Sequence, residues 1–117
     1  MHKPAKKPND LERFFVERAN AGDVEGIVAL YESNAILSCG DGEVVVGLDQ
    51  IRKFFIDFLA IRPQFTPSAQ APALCSGDLA LTSSRLDNGD ITAEIARRQP
   101  DGNWLWAVDQ FALGKRA

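Results

Sequence analysis

The hydrophobic periodicity of this chain is mainly helical before Pro63 and strand-like after it. Before that point apolar residues recur at helical spacing in three segments, and after it they alternate between turn dipeptides. Helices followed by an antiparallel meander are typical of an α+β fold, in which helices pack on one face of a sheet. At 117 residues the chain has the length of one domain with one hydrophobic core.

The first two helical segments carry recognisable start and stop signals. In NDLERFFVERANAG, Asn9 and Glu12 form a capping-box pattern, and Gly22 ends the segment. In DVEGIVALY, Asp23 is the predicted N-cap, and the apolar stripe continues as far as Tyr31. The short connection between them predicts a helical hairpin.

A strand hairpin and a third helix follow. AILSCGDGEVVVG predicts two short strands around a turn at Asp41-Gly42. LDQIRKFFIDFLAI predicts a helix with a wide apolar stripe. The remainder predicts four strands. Pro67 and Pro72 place the first of them at a sheet edge or a bulge, and the strands cover residues 64–75, 78–86, 90–99 and 103–113.

Charge and composition exclude several functional classes. The formal net charge is −3, and three of the lysines lie in residues 1–8, so residues 9–117 are more acidic still. Such a body is expected to repel phosphate backbones, which argues against nucleic acid as a partner. No segment is apolar for long enough to span a membrane. Residues 1–8 are interpreted as a flexible basic leader, and residues 9–117 as a single domain.

The scarcity of histidine and cysteine limits the chemistry. The single histidine, His2, lies in the leader, so none is expected to activate a nucleophile or to join a metal cluster. Cys39 and Cys75 are expected to stay reduced in a cytoplasmic protein. We therefore expect no metal and no cofactor.

The last hairpin decides where Asp109 points. A three-residue Pro-Asp-Gly turn would pair Ala93 with Asp109 and place both on the same sheet face. Six other residues would share that face, and Trp104 and Trp106 would lie on the opposite one. A two-residue turn would instead set Glu94 against Asp109, and we favour the first register because opposed carboxylates repel each other. In that register the Asp109 face also holds Ile91, Ile95, Arg97, Leu105, Ala107 and Phe111.

Four segments in this order resemble the NTF2-like superfamily: AGDVEGIVALYESNAIL, VVGLDQIRKFF, GDLALTSS and ARRQPDGNWLWAVDQF. The resemblance is specifically to the small SnoaL-like and DUF4440-type proteins related to ketosteroid isomerase, and it covers residues 9–113. It implies a cone of three helices over a strongly curved, mostly antiparallel sheet, with a pocket at the wide end and commonly a dimer through the outer sheet face. Trp104 and Trp106 would then form the dimer interface, and Asp109 would line the pocket.

The resemblance also shows what this sequence lacks. Isomerase members carry a carboxylate base just after the first strand, where this chain has Cys39, and an oxyanion-hole tyrosine on the first helix, where it has Phe15. Steroid isomerisation is therefore not carried over. Because members of the superfamily include isomerases, cyclases, dehydratases and plain binding modules, the fold alone does not decide the activity.

The candidate site follows from the face assignment. Asp109 is the candidate general base, because a carboxylate on an apolar concave face has its pKa raised by desolvation. The alternatives are exposure of Asp109 at the cavity mouth or a salt bridge between Asp109 and Arg97, whose guanidinium could otherwise hold a ligand. The remaining pocket candidates are Phe15, Tyr31, Cys39, Phe55, Leu59, Ala93, Ile95, Ala107 and Phe111.

Two functional hypotheses remain open. In the first, a homodimer binds a small apolar or carbonyl-containing molecule and performs cofactor-free acid/base chemistry, such as isomerisation or cyclisation, with Asp109 as the base. In the second, the protein is a non-catalytic binding or assembly module that acts through its tryptophan face.

Overall fold

The computed structural model describes residues 2–39 and 42–113, which form three α-helices and seven β-strands. This is the α+β architecture that the periodicity predicts. The helices are α1 (Asp10–Asn20), α2 (Val24–Val28) and α3 (Gly47–Ala60). The strands are β1 (Tyr31–Ser38), β2 (Val44–Val46), β3 (Ala69–Gln70), β4 (Leu74–Ser76), β5 (Leu79–Arg85), β6 (Ile91–Arg98) and β7 (Trp104–Gln110).

The helix starts agree only in part with the sequence signals. Asp23 caps α2 as predicted, since its Oδ1 accepts a hydrogen bond of 2.9 Å from the backbone N–H of Gly26. The capping box at α1 is wrong, because Asn9 makes no side-chain cap and instead donates to the carbonyl of Ala71. Glu12 is thereby free to point elsewhere.

The second helix is shorter than its apolar stripe. It ends at Val28, and Tyr31 already belongs to β1, where it pairs with Trp106 of β7. The backbone N–H of Trp106 donates to the carbonyl of Leu30 at 2.8 Å. Sheet pairing therefore begins two residues after Val28, where the helix would otherwise have continued. Tyr31 therefore projects from a strand rather than from a helix.

One curled sheet holds all seven strands. Their order is β2-β1-β7-β6-β5-β3, with β4 also paired to β5. Neighbours run antiparallel except β1 and β7, which are parallel. The predicted strand 64–75 divides into β3 and β4, with Pro72 between them. The turn predicted at Asp41-Gly42 lies partly outside the described residues.

Helices cover the concave face, where the fully buried side chains include Leu11, Ile27, Leu37, Ile51, Phe55 and Trp106.

A β-bulge at Ala107 combines the two registers that the sequence left open. Near the turn, Arg97 pairs with Leu105, as the three-residue loop predicts. Beyond Ala107 the pairing slips by one residue, so that Glu94 lies opposite Asp109 rather than Ala93. The extra residue reverses the alternation of side chains along the strand. Asp109 is therefore inward, on the face that also holds Trp106.

The face predicted for the tryptophans is wrong. Trp104 and Trp106 are only 6% and 2% exposed and lie in the core, so neither presents an outer surface for a dimer. In the first half of β7, Trp104 and Trp106 point into the core, although the favoured register placed them on the outer face of the sheet. Side chains alternate between the two faces along β6, and Glu94 and Ala96 are buried. Ala93, Ile95 and Arg97 therefore lie on the convex face instead of in a pocket.

The basic leader packs against the domain. Ala5 is 2% exposed, and its carbonyl accepts a 2.9 Å hydrogen bond from the backbone N–H of Trp104. Arg18 donates to the carbonyl of Lys3, and His2 contacts Asp23, each at 2.7 Å. Ala5, in the segment that the sequence suggested would be flexible, thus forms an isolated antiparallel bridge with Trp104 at the start of β7.

Candidate active site

The bulge brings Asp109 to a small cavity between α1 and the concave sheet face. The cavity has a volume of about 20 Å³, which is room for about one water molecule. Four aromatic side chains and three carboxyl groups make up most of its wall. The lining residues are Glu12, Phe15, Phe65, Leu86, Thr92, Glu94, Trp106, Asp109 and Phe111.

Asp109 is held by Tyr31. The Tyr31 hydroxyl lies 2.6 Å from Asp109 Oδ2 in the core, where the two residues are 2% and 5% exposed. The predicted salt bridge with Arg97 is absent from the described contacts of Asp109, since Arg97 pairs with Glu32 at 3.0 Å on the outside. Within residues 2–39 and 42–113 the carboxyl group thus has a neutral partner and no counter-ion.

Two further carboxyl groups share the cavity. Glu94 is 3% exposed and accepts a 2.7 Å hydrogen bond from the hydroxyl of Thr82 on β5. Glu12 enters from α1, where its Oε2 accepts a 3.1 Å hydrogen bond from the hydroxyl of Ser68. Both bonds are made to neutral hydroxyl groups, and the part of the chain that the structure describes contributes no basic side chain to the cavity lining.

Burial raises the pKa of all three carboxyl groups. Desolvation is the largest cause for each of them. The charge of Glu94 adds to the effect at Glu12 and at Asp109. Glu12 reaches a pKa of about 7, whereas the pKa of Asp109 is raised well above its usual range even though the Tyr31 hydrogen bond opposes the rise. The raised pKa of Asp109 favours its neutral form, whereas Glu12 exchanges a proton readily near neutral pH.

The cavity opens toward a wider groove of about 440 Å³. Phe65, Leu86 and Phe111 belong to both spaces and form the boundary between them. Two more acidic residues, Asp87 and Asp90, lie along this groove. Its other walls are Cys39, Gln64, Thr66, Asn88 and Ala112.

A model of the SnoaL-like domain matches residues 11–113, nearly the whole of the chain. The chain belongs to the SnoaL-like domain family. No curated protein sequence is similar enough to this SnoaL-like chain to count as a match.

Solved structures share the fold of this SnoaL-like domain at low sequence identity. One is provisionally named a dehydratase of the NTF2-like family, from Streptomyces avermitilis, with a TM-score of 0.68, 15% identity and coverage of 87% of this chain and 90% of that chain. Another, from Shewanella frigidimarina, is provisionally named a ketosteroid isomerase, with a TM-score of 0.67, 15% identity and coverage of 86% and 90%. A third, from Thiobacillus denitrificans, is provisionally named a calcium/calmodulin-dependent protein kinase type II association domain, with a TM-score of 0.73, 13% identity and coverage of 92% and 95%.

Some of the residues predicted for the pocket of this SnoaL-like domain lie at or near it. Phe15 and Phe111 line the cavity, and Tyr31 contacts it through Asp109. Cys39 lies on the outer groove. The others are placed differently: Phe55 and Leu59 are packed in the core, Ala107 forms the bulge, and Ala93, Ile95 and Arg97 face outward.

Glu12 and Glu94 were missed in the sequence, although each leaves a signal. Glu12 lies three residues before Phe15 and four before Val16, on the apolar stripe of α1, but the capping box offered a different explanation for it. Glu94 alternates with Thr92 and Ala96, which are also buried. Its position opposite Asp109 depends on the bulge in β7, which no local sequence rule locates.

Among residues 2–39 and 42–113, no group of three or more histidine, cysteine, aspartate or glutamate side chains is arranged to hold a metal ion. The same residues include no helix with the length and apolar character needed to cross a membrane.

Proposed function

We propose that this protein binds a small, mostly apolar carbonyl compound at the cavity and moves a proton on it without a cofactor. The observation that carries this proposal is the set of three desolvated carboxyl groups in an aromatic cavity, one of which, Glu12, has a pKa of about 7. A pKa close to the working pH is the condition under which a carboxyl group serves well as a general base.

Glu12 is the proposed base. Its carboxylate takes a proton from the carbon next to the carbonyl group, and the electrons of the broken C–H bond move onto the carbonyl oxygen to give an enolate. Returning the proton to another carbon completes an isomerisation. Glu12 also borders a second groove, of about 360 Å³, beside Ser68 and Gln70. That position lets the base exchange its proton with solvent.

Asp109 is the proposed acid partner. The sequence suggested Asp109 as the base, but its strongly raised pKa favours the neutral form, which can donate a hydrogen bond to a developing enolate. Tyr31 donates to Oδ2, so Oδ1 remains to carry the proton toward a ligand. This division of roles between two carboxyl groups follows from their different environments.

Deuterium exchange tests the proposal. Cyclohexanone in D2O exchanges the hydrogens next to its carbonyl group, and proton NMR follows the loss of their signal. We expect the protein to accelerate this exchange, with a rate that rises with pH up to about 7 as Glu12 ionises. Glu12→Gln should remove the acceleration, and Asp109→Asn should reduce it by about tenfold or more.

Glu17→Gln is the matched control, because Glu17 is an exposed glutamate on the same helix. It should exchange cyclohexanone like the unmodified protein. Equal rates for Glu12→Gln and the unmodified protein would rule out Glu12 as the base.

A second proposal concerns association, and it replaces the buried tryptophans with another surface. The register pairs one exposed apolar residue from each of six strands into a continuous row across the convex face. We propose that this row packs on a second copy of the chain, because a contiguous exposed apolar surface favours association. In spatial order the row is Val46, Ile36, Val108, Ile95, Leu81 and Leu74, each between 38% and 71% exposed. The association domain from Thiobacillus denitrificans shares this fold.

A further inference from the structure

The indole of Trp106 is a buried donor without an acceptor. Trp106 is 2% exposed and lines the cavity, and its Nε1–H has no hydrogen-bond partner among the described residues. A buried N–H without a partner costs about 1–3 kcal/mol. The position next to the cavity indicates that the missing acceptor belongs to a molecule that enters it.

The charges around the cavity restrict which molecule this is. Three carboxyl groups line the cavity, Asp87 and Asp90 line the groove outside it, and none of the described residues that line either space is a lysine, arginine or histidine. Among these described residues the charged side chains are all acidic, so a phosphate, a carboxylate or a nucleotide-linked thioester would meet no cation from them to compensate its charge.

We propose that the ligand is an uncharged carbonyl compound whose oxygen occupies the cavity and accepts a hydrogen bond from Trp106 Nε1, while its carbon skeleton lies in the outer groove. The inference rests on the proposed function, since it specifies the substrate class and adds a binding residue to the same site. It also explains the size of the cavity, because about 20 Å³ accommodates one oxygen atom but not a ring.

The groove supplies the apolar surface that the rest of such a ligand needs. Phe65, Leu86 and Phe111 stand at its junction with the cavity. A ring that lies against these side chains would direct its carbonyl oxygen inward, between the indole N–H and the neutral Asp109 acid. Two donors to one oxygen also favour a carbonyl over an amine, which at neutral pH is protonated and has no lone pair to accept them.

Two spectroscopic measurements test the binding mode without requiring turnover. Cyclohexanone labelled with ¹³C at the carbonyl carbon reports its hydrogen bonds through the C=O stretching frequency, which should fall on binding. In ¹⁵N-labelled protein, the indole N–H signal of Trp106 should move downfield as cyclohexanone is added. The signal of Trp104, which lies against a different groove beside Ala5, is the internal control.

Substitution then distinguishes the contributions of Trp106 and Trp104 to cyclohexanone binding. Trp106→Phe should reduce the C=O frequency shift and weaken cyclohexanone binding by up to about tenfold, whereas Trp104→Phe should leave both unchanged. Cyclohexanecarboxylate and cyclohexylamine should bind at least tenfold more weakly than cyclohexanone.

Three results would overturn the inference. They are a Trp106 N–H signal that does not move when cyclohexanone is added, a C=O frequency of bound cyclohexanone that is the same in Trp106→Phe as in the unmodified protein, and tighter binding of cyclohexanecarboxylate or cyclohexylamine than of cyclohexanone. The Trp106 signal is read in the unmodified protein, so it does not depend on the stability of any variant. If cyclohexanone binds as described but its hydrogens do not exchange faster, only the proposed proton transfer fails.

Discussion

The hydroxyl of Tyr31 lies 2.6 Å from Oδ2 of Asp109 and joins the parallel strands β1 and β7 inside the core. Two features of the fold create this contact. The early end of α2 puts Tyr31 on a strand, and the bulge at Ala107 turns Asp109 inward. Without either one, the carboxyl group would have no donor from this side.

Removing the tyrosine hydroxyl should therefore destabilise the fold. Tyr31→Phe leaves Asp109 Oδ2 buried without this donor, and we expect the free energy of unfolding to fall by about 1–3 kcal/mol. The pKa of Asp109 should rise further, because the Tyr31 hydrogen bond lowers it. Urea denaturation measures the first effect, and carbonyl ¹³C NMR titration the second.

Asp109→Asn is the matched comparison, since its amide oxygen can still accept the Tyr31 hydrogen bond. It should remain folded while losing the acid proton. A Tyr31→Phe variant as stable as the unmodified protein would mean that the bond contributes nothing to folding.

The ionisation of Glu12 should make stability depend on pH. Below pH 4.5 the carboxyl group is protonated in both the folded and the unfolded chain, so it has no effect. Between pH 4.5 and about 7 the unfolded chain releases this proton while the folded chain keeps it, and stability falls by on the order of 3 kcal/mol. Above about 7 both states are ionised, and the loss stays constant.

Glu12→Gln removes this titration. Its melting temperature should exceed that of the unmodified protein at pH 8, and the difference should shrink toward pH 5. Glu17→Gln, exposed on the same helix, should show little change at either pH. A constant difference between Glu12→Gln and the unmodified protein across this range would contradict the raised pKa.

The sequence predicted the elements of this fold better than the faces of its strands. Apolar periodicity located all three helices, and Asp23 marked the start of α2 correctly, because these signals act over a few residues. The position of Asp109 relative to Trp106 depends on the pairing between β6 and β7, where one extra residue brings both side chains to the same face.

The same dependence limited the prediction of the site. The sequence placed Asp109 inward for an incorrect reason. The favoured register had no bulge and assigned the wrong face of β7 to the interior, and the bulge at Ala107 then turns Asp109 to the inner face. Glu94 was rejected as its neighbour because opposed carboxylates repel each other, yet the fold holds both as weak acids in a desolvated cavity. Repulsion between charges does not exclude a pair that burial keeps protonated.

The leader should contribute measurably to stability. Ala5 is buried against the start of β7, so Ala5→Gln would have to bury a longer polar side chain or displace this contact. We expect a loss of about 1–3 kcal/mol in the free energy of unfolding. Lys6→Gln introduces the same side chain at the next, exposed position and should be neutral. Equal stability of the two variants would show that the leader does not pack in solution.

The convex apolar row should control association. Light scattering at micromolar concentration should give the mass of a dimer for the unmodified protein. Ile95→Lys or Val108→Lys, near the centre of the row, should give the mass of a monomer, because each buries an ammonium group in the proposed interface. Ile61→Lys is the control: Ile61 is 74% exposed and lies after α3, outside the row. A monomeric unmodified protein, or dimers that persist in both row variants, would remove the convex face as the site of association and leave the cavity as the functional surface.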